Sequence, residues 1–227
     1  VGQDHFVQLS STLPTSVNTS ADWAFINELA CDPLTGRVYA ATSKGLWFSD
    51  DQGVSWKNPF GNLKPFSQDV EVASDQTVFA VIQNLPYLCA TPYPSGGMPV
   101  FSPKVNGLPL SGIIRTEISI APSDPNKIYA SIAKTNNNLE GIYMTDNKGE
   151  QWIRLTSGST SFNPSGGQGS FNKEIVVKPS NKDNVFLGGI DAWTWSPGKT
   201  WTQLSLWNTD PLSATYVHAD HHKYVFH

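Results

Sequence analysis

Ser49-Asp50-Asp51-Gln52-Gly53-Val54-Ser55-Trp56 carries every element of the pattern Ser/Thr-x-Asp-x-Gly-x-x-Trp. A carboxylate that folds back onto the backbone N–H groups of its own turn makes an Asx-type turn. Glycine supplies a positive φ, and tryptophan anchors the turn by burying a large surface against the sheet. The pattern returns at Thr145-Asp146-Asn147-Lys148-Gly149-Glu150-Gln151-Trp152, with Asn147 at the central acidic position. A degenerate copy, Thr194-Trp195-Ser196-Pro197-Gly198-Lys199-Thr200-Trp201, places Ser196 there and keeps Gly198 and Trp201. Trp56, Trp152 and Trp201 are spaced by 96 and 49 residues, so one interval is about twice the other. An eroded copy is therefore expected near Tyr93–Phe101, where Pro94-Ser95-Gly96-Gly97 supplies a turn.

A second pattern precedes each box. Glu28-Leu29-Ala30-Cys31-Asp32-Pro33 leads into Arg37-Val38-Tyr39-Ala40-Ala41, and Glu117-Ile118-Ser119-Ile120-Ala121-Pro122 into Lys127-Ile128-Tyr129-Ala130-Ser131. Glu174-Ile175-Val176-Val177-Lys178-Pro179 leads into Asn184-Val185-Phe186-Leu187-Gly188, and Glu71-Val72-Ala73-Ser74 with Thr77-Val78-Phe79-Ala80 is the shortened copy. Each unit reads as strand, turn, strand, loop, strand, box hairpin, strand, which is the content of one propeller blade. No helical period of useful length lies between the strands, which excludes Rossmann and TIM architectures. The expected fold is all-β: a β-propeller of four-stranded antiparallel blades at about 24–60, 67–104, 114–156 and 172–206, making residues 1–227 a single propeller segment. Phe6-Val7-Gln8-Leu9 reads as an outer strand, and 216–227 as the first strand of a further blade. Four blades with two orphan strands do not close comfortably, so a larger parent propeller is expected.

The boxes and their flanks resemble the Asp-box (BNR) propeller superfamily, which includes sialidases, sortilin and certain glycoside hydrolases. Gly188-Gly189-Ile190-Asp191, Gly198-Lys199-Thr200-Trp201-Thr202-Gln203-Leu204 and Tyr216-Val217-His218-Ala219-Asp220-His221-His222 resemble a narrower group of large, sortilin-like, secreted bacterial surface proteins. The resemblance runs from about Asp22 onward. It implies a secreted or cell-surface protein and leaves the task open, because one fold hosts many functions.

Composition agrees with many short strands and tight turns: 39% apolar, 11% aromatic and only 15% charged residues, with 18 Gly and 16 Pro. A formal charge of −4 gives no footprint for nucleic acid or an anionic membrane surface. No apolar run approaches the ~20 residues a membrane span requires. Val1 begins the sequence without a recognisable leader, as a removed signal peptide or a trimmed chain would. Cys31 and Cys89 fit either two thiols or one disulfide, and Asn18-Thr19-Ser20 matches the glycosylation sequon.

Four of the five histidines fall in the last ten residues: His218, His221, His222 and His227. On a strand, His218, Asp220 and His222 would share one face. Three roles suit that set: a polar structural strand, a substrate-contacting or general acid/base site with Asp orienting His, or a metal site. The three are the candidate catalytic residues, and with Trp207 the candidate ligand-binding residues; no metal or cofactor is assigned. Ser205–Thr215, with Trp207, leads into this segment, and an exposed indole there could stack on a sugar, as could Trp193 or Trp195 if they are not packed within the blade. Another long connection is Ser157–Asn172. Glu28, Glu71, Glu117 and Glu174 recur at one position and either ring the channel mouth or bond to repeated loop backbone. The structural box residues are Ser49, Asp51, Gly53, Trp56, Thr145, Asn147, Gly149, Trp152, Gly198 and Trp201.

Sialidase chemistry does not fit. Its three-arginine carboxylate clamp would need Arg37, Arg115 and Arg154, of which Arg37 and Arg154 flank turns and outer strands, and no Arg-Ile-Pro signature is present. No nucleophile elbow, P-loop or dinucleotide fingerprint appears either. The leading expectation is a non-catalytic extracellular module that binds glycan or protein through the propeller face. The alternatives are a polysaccharide-active enzyme and a structural spacer in a large surface protein.

Overall fold

The computed structural model describes residues 7–13, 22–90, 97–159 and 161–226. Four antiparallel sheets follow one another along the chain as the blades of a β-propeller. The first contains β1 (Ile26–Cys31), β2 (Val38–Thr42) and β3 (Gly45–Ser49). β4 (Ser67–Val72), β5 (Val78–Ile82), β6 (Leu85–Cys89) and β7 (Ser102–Pro103) form the second. The third comprises β8 (Ile113–Ile120), β9 (Ile128–Lys134), β10 (Leu139–Thr145) and β11 (Ile153–Ser157), and the fourth β12 (Glu174–Val177), β13 (Val185–Gly188), β14 (Trp193–Trp195) and β15 (Thr202–Gln203).

Period-two alternation explains how the blades stack. A middle strand is covered on both faces, so it is apolar at consecutive positions rather than alternate ones. All five residues of β5 are buried. Val78, Ala80 and Ile82 join Tyr39, Leu46 and Phe48 of the first blade in one cluster. Phe79 and Val81 point the other way, into a cluster with Ile118, Ile128, Ile132 and Trp152 of the third. β9 repeats the arrangement: Tyr129 turns toward Ile175, Val185 and Leu187 of the fourth blade. Three clusters thus fill the three interfaces between consecutive blades. Among the described residues none joins the fourth blade to the first.

Side chains tie together the innermost strands. Asn27 Nδ2 donates to Ser67 O at 2.7 Å. Asp69 Oδ2 accepts from Ile118 N at 2.8 Å, and Glu71 Oε2 from Ile120 N at 2.6 Å. Ser119 Oγ accepts from Val177 N at 3.3 Å. Buried backbone donors at an incomplete sheet edge need such partners.

Two expected terminal strands differ from the structure. Phe6 lies outside the described residues, and Val7–Leu9 carry no strand. Residues 216–226 also form no strand, because a strand needs a ladder; the backbone of this segment bonds outside itself through His221 N to Gly189 O at 2.9 Å. The first blade keeps only a bridge between Phe48 and Lys57 where a fourth strand was expected. Pro59, which has no N–H to donate, follows two residues later. The sequon, most of the eroded repeat (91–96) and His227 lie outside the described residues. Cys31 and Cys89 form no disulfide.

Candidate functional site

Two of the boxes fold by the same hydrogen bonds. Ser49 Oγ accepts from Gly53 N at 2.8 Å, while Asp51 Oδ1 accepts from Ser49 Oγ and Ser55 N, each at 2.8 Å. In the second, Thr145 Oγ1 accepts from Gly149 N at 3.0 Å, and Asn147 Oδ1 from Thr145 Oγ1 at 2.7 Å and Gln151 N at 3.0 Å. The amide oxygen of Asn147 therefore replaces the carboxylate without changing the turn. The copy at 194–201 lacks these bonds; Thr194 Oγ1 instead donates to Val185 O at 3.1 Å.

The repeated glutamates converge on the axis. Glu117 and Glu174 are buried, Glu28 and Glu71 partly so, and Asp69 is buried beside them. Burial raises the Asp69 pKa well above the usual carboxylate range, with Glu117 and Glu71 adding to the effect. Loss of solvation likewise pushes Glu71 up to about 8 and Glu174 up to about 7. Glu117 is raised by burial, against the pull of Arg115. Lys173 beside this group is buried with no partner on Nζ, and desolvation holds its pKa well below the ordinary lysine value.

The cation that counters this acidity comes from the C-terminal segment. Lys223 Nζ lies 3.2 Å from Glu28 Oε1 of the first blade and 3.9 Å from Glu174 Oε1 of the fourth. Burial works against its charge, but Glu174 and Glu28 hold its pKa above the ordinary range. Phe226 packs edge-on against Phe186, with ring centroids 5.5 Å apart. Residues 223–226 thus span the side of the ring that has no apolar interface. They line a cavity of about 420 Å³ together with Glu28, Glu71 and Ser119.

His218, Asp220 and His222 are not gathered as a strand would gather them. Asp220 has φ +76°, which breaks the period-two path, and its Oδ1 accepts from Asn172 Nδ2 at 2.8 Å. His218 Nδ1 lies 2.8 Å from the carbonyl of Ala219. His222 packs edge-on against Phe171, with centroids 4.7 Å apart. His221, which the expected alternation left out, contacts Tyr224 Oη at 3.0 Å through Nδ1 and has a buried Nε2 without a partner; burial lowers its pKa. No group of three or more metal-ligating side chains exists among the described residues.

Trp207 is exposed on a loop that is held from below. Asp191 Oδ1 accepts from Trp207 N at 2.8 Å and from Ser205 Oγ at 3.4 Å, and Asp191 Oδ2 accepts from Gln203 Nε2 at 3.0 Å. Leu206 N donates to Thr215 O at 2.9 Å. Leu206 and Leu212 are exposed on the same loop. Sequence reasoning missed Asp191 and Lys223. The run Gly188–Asp191 marked the first; only a lone cation near the end of a chain with four repeated glutamates pointed to the second.

No protein-family profile matches the chain, and no curated protein matches it. Solved structures do. The GH74 enzyme of Niastella koreensis superposes with a TM-score of 0.60 at 18% identity, over 82% of this chain and 32% of that one. An ancestral GH74 enzyme gives 0.56 at 13% identity, over 84% of this chain and 26% of its own. A structure of the nidogen/laminin complex gives 0.51 at 14% identity, over 82% and 66%. The fold is a propeller. This chain spans about a third or less of either GH74 enzyme, and at these identities the likeness extends to the fold alone.

Proposed function

We propose that the chain is part of an extracellular recognition module of the Asp-box propeller type, binding glycan or protein through its propeller face. The observation that carries this reading is the clasped presentation of Trp207. An exposed indole, 48% accessible, sits on a loop fastened by three hydrogen bonds to one buttressing carboxylate. An aromatic side chain on a fixed backbone binds with a smaller ordering cost than one on a free loop. The axial acids support binding over catalysis, since Asp69 and Glu71 accept backbone N–H groups and Glu117 is paired with Arg115.

The remaining blades of a longer parent are part of the proposal. On the first blade the exposed Ile26 and Leu29 line an apolar cleft with Trp23, Val38 and Trp56, which another blade would cover. A polysaccharide-active enzyme is the second reading. One observation favours it: the Glu71 carboxyl, whose pKa burial pushes up to about 8, borders a cavity of about 420 Å³, as a general acid would. His218, Asp220 and His222 remain its candidate residues.

A glycan array probed with the wild-type chain and with Trp207→Ala tests the recognition reading. Binding that disappears in the variant while its melting temperature holds would support it. Equal signals from both proteins would reject the face, and an array without any bound glycan would reject the glycan reading and leave a protein ligand or a structural spacer. Polysaccharide turnover lost in Asp220→Ala without unfolding would favour the enzyme.

A further inference from the structure

We propose that the cleft between the third and fourth blades is a second carbohydrate site, one that takes a short stretch of neutral glycan. The proposal takes its ligand class from the glycan reading above but rests on different residues: neither Trp207 nor Asp191 lines this cleft. It has a volume of about 460 Å³, within the range of small-molecule sites.

An aromatic row forms its lining. Trp195 and Trp201 stack with centroids 6.2 Å apart and planes inclined by 28°. Trp201 stacks in turn on Phe162 at 5.3 Å and 26°, and Phe162 meets Trp193 edge-on at 5.3 Å. Behind them Trp195 is braced against the buried Tyr129 at 6.4 Å. All four lining rings are only partly buried, in contrast with the fully enclosed Trp152. Thr156, Thr200 and Lys199 supply polar groups among the lining residues.

Such a surface suits a pyranose with equatorial hydroxyls. Its axial C–H bonds present flat apolar faces to the rings, while its hydroxyls point outward to the polar groups. The indole Nε1 atoms of Trp193 and Trp201 are shielded from water, so these rings would meet a ligand through their exposed faces, with Thr156, Thr200 and Lys199 of the same lining serving its hydroxyls. A purely apolar ligand would make no use of those polar groups.

The decisive measurement follows the indole N–H resonances of the ¹⁵N-labelled chain during titration with cellotetraose. The expected result is movement of the Trp193 and Trp201 signals while that of Trp152, whose N–H is already bonded to Lys104 O at 2.9 Å, stays in place. Trp201→Phe narrows the stacking ring, so it should weaken this binding about fivefold with an unchanged thermal melt. In Trp207→Ala the Trp193 and Trp201 shifts should persist, which separates failure of the face from failure of the cleft. Signals that stay still up to the solubility limit of the sugar would overturn the proposal. So would shifts that vanish with Trp207→Ala, or a Trp201→Phe chain that binds as tightly as the wild type.

Discussion

The hairpins at 145–152 and 194–201 descend from one sequence pattern and end in opposite states. In the first, Thr145 and Asn147 close the turn, and Trp152 is 2% exposed with its N–H donated to Lys104 O. In the second, Ser196 makes none of the box bonds and Trp201 lies half-buried in a row of rings, its N–H unpartnered. Both turns keep a glycine at positive φ, +81° at Gly149 and +75° at Gly198. Backbone shape has therefore outlived the polar lock. In this pair the tryptophan of the kept lock is enclosed and that of the lost lock lines a cleft. The box at 49–56 shows that the lock alone does not decide it, since Trp56 there stays partly exposed with its N–H unpartnered.

The sharpest way to break this comparison is to delete the two anchors. Trp152→Ala should destabilise the chain by about 3–5 kcal/mol, the usual range for emptying a filled aromatic site. Trp201→Ala should cost only about 1–2 kcal/mol, because part of the ring already faces water. Urea denaturation midpoints would distinguish them, and equal losses would mean that both tryptophans are structural. The glycines come next. A Cβ on Gly149 would meet Lys104 Cβ at 2.8 Å in addition to its backbone strain, so Gly149→Ala should cost about 2 kcal/mol. Gly198 has nothing within 4 Å of that position, leaving the strain alone at about 1 kcal/mol. Thermal melts of equal depression would contradict the difference. Smaller again is Asn147→Ala, which removes one side-chain acceptor serving two donors and should cost about 1 kcal/mol, whereas Ser196→Ala should stay within about 0.5 kcal/mol of the wild type.

What the sequence made legible divides along the same line. Turn chemistry is local, so Ser49–Trp56 and Thr145–Trp152 could be read as hairpins from eight residues each. Blade stacking was legible for a related reason: consecutive apolar positions such as Val78–Ile82 have few folds in which both faces are covered. The terminal segment was opaque because its conformation depends on distant partners. His218, Asp220 and His222 alternate in sequence, but Asn172 holds Asp220 at a left-handed φ and the alternation is lost. Lys223 meets Glu28 across 195 positions, a separation that no local pattern encodes. Repetition marked the glutamates as one recurring position, at the channel mouth or bonded to loop backbone, and could not choose between the two. The buried Asp69 beside them belongs to no repeat and carried no signal at all.

The gentlest test separates the two intact boxes from each other. Asp51 and Asn147 accept the same two hydrogen bonds through Oδ1, and Asp51 Oδ2 takes one more from Ser55 Oγ at 2.6 Å. Only Asp51 can lose its acceptor strength to a proton. Bonds from the side chain and backbone of Ser55, and from Ser49, hold its pKa at about 2 against an ordinary 3.8. A folded-state value below the unfolded one means that the unfolded chain binds the proton first. The stabilisation is therefore complete above about pH 4 and is lost as the pH falls toward 2. The Ser55 amide resonance should titrate with a midpoint near 2, while that of Gln151, bonded to the amide oxygen of Asn147, should not follow a carboxylate at all. Asp51→Asn should flatten the Ser55 curve without opening the hairpin, since the second box shows that an amide supports the same turn. A Ser55 midpoint near 4 would mean that the carboxylate is not gripped, and the equivalence of the two boxes would fail.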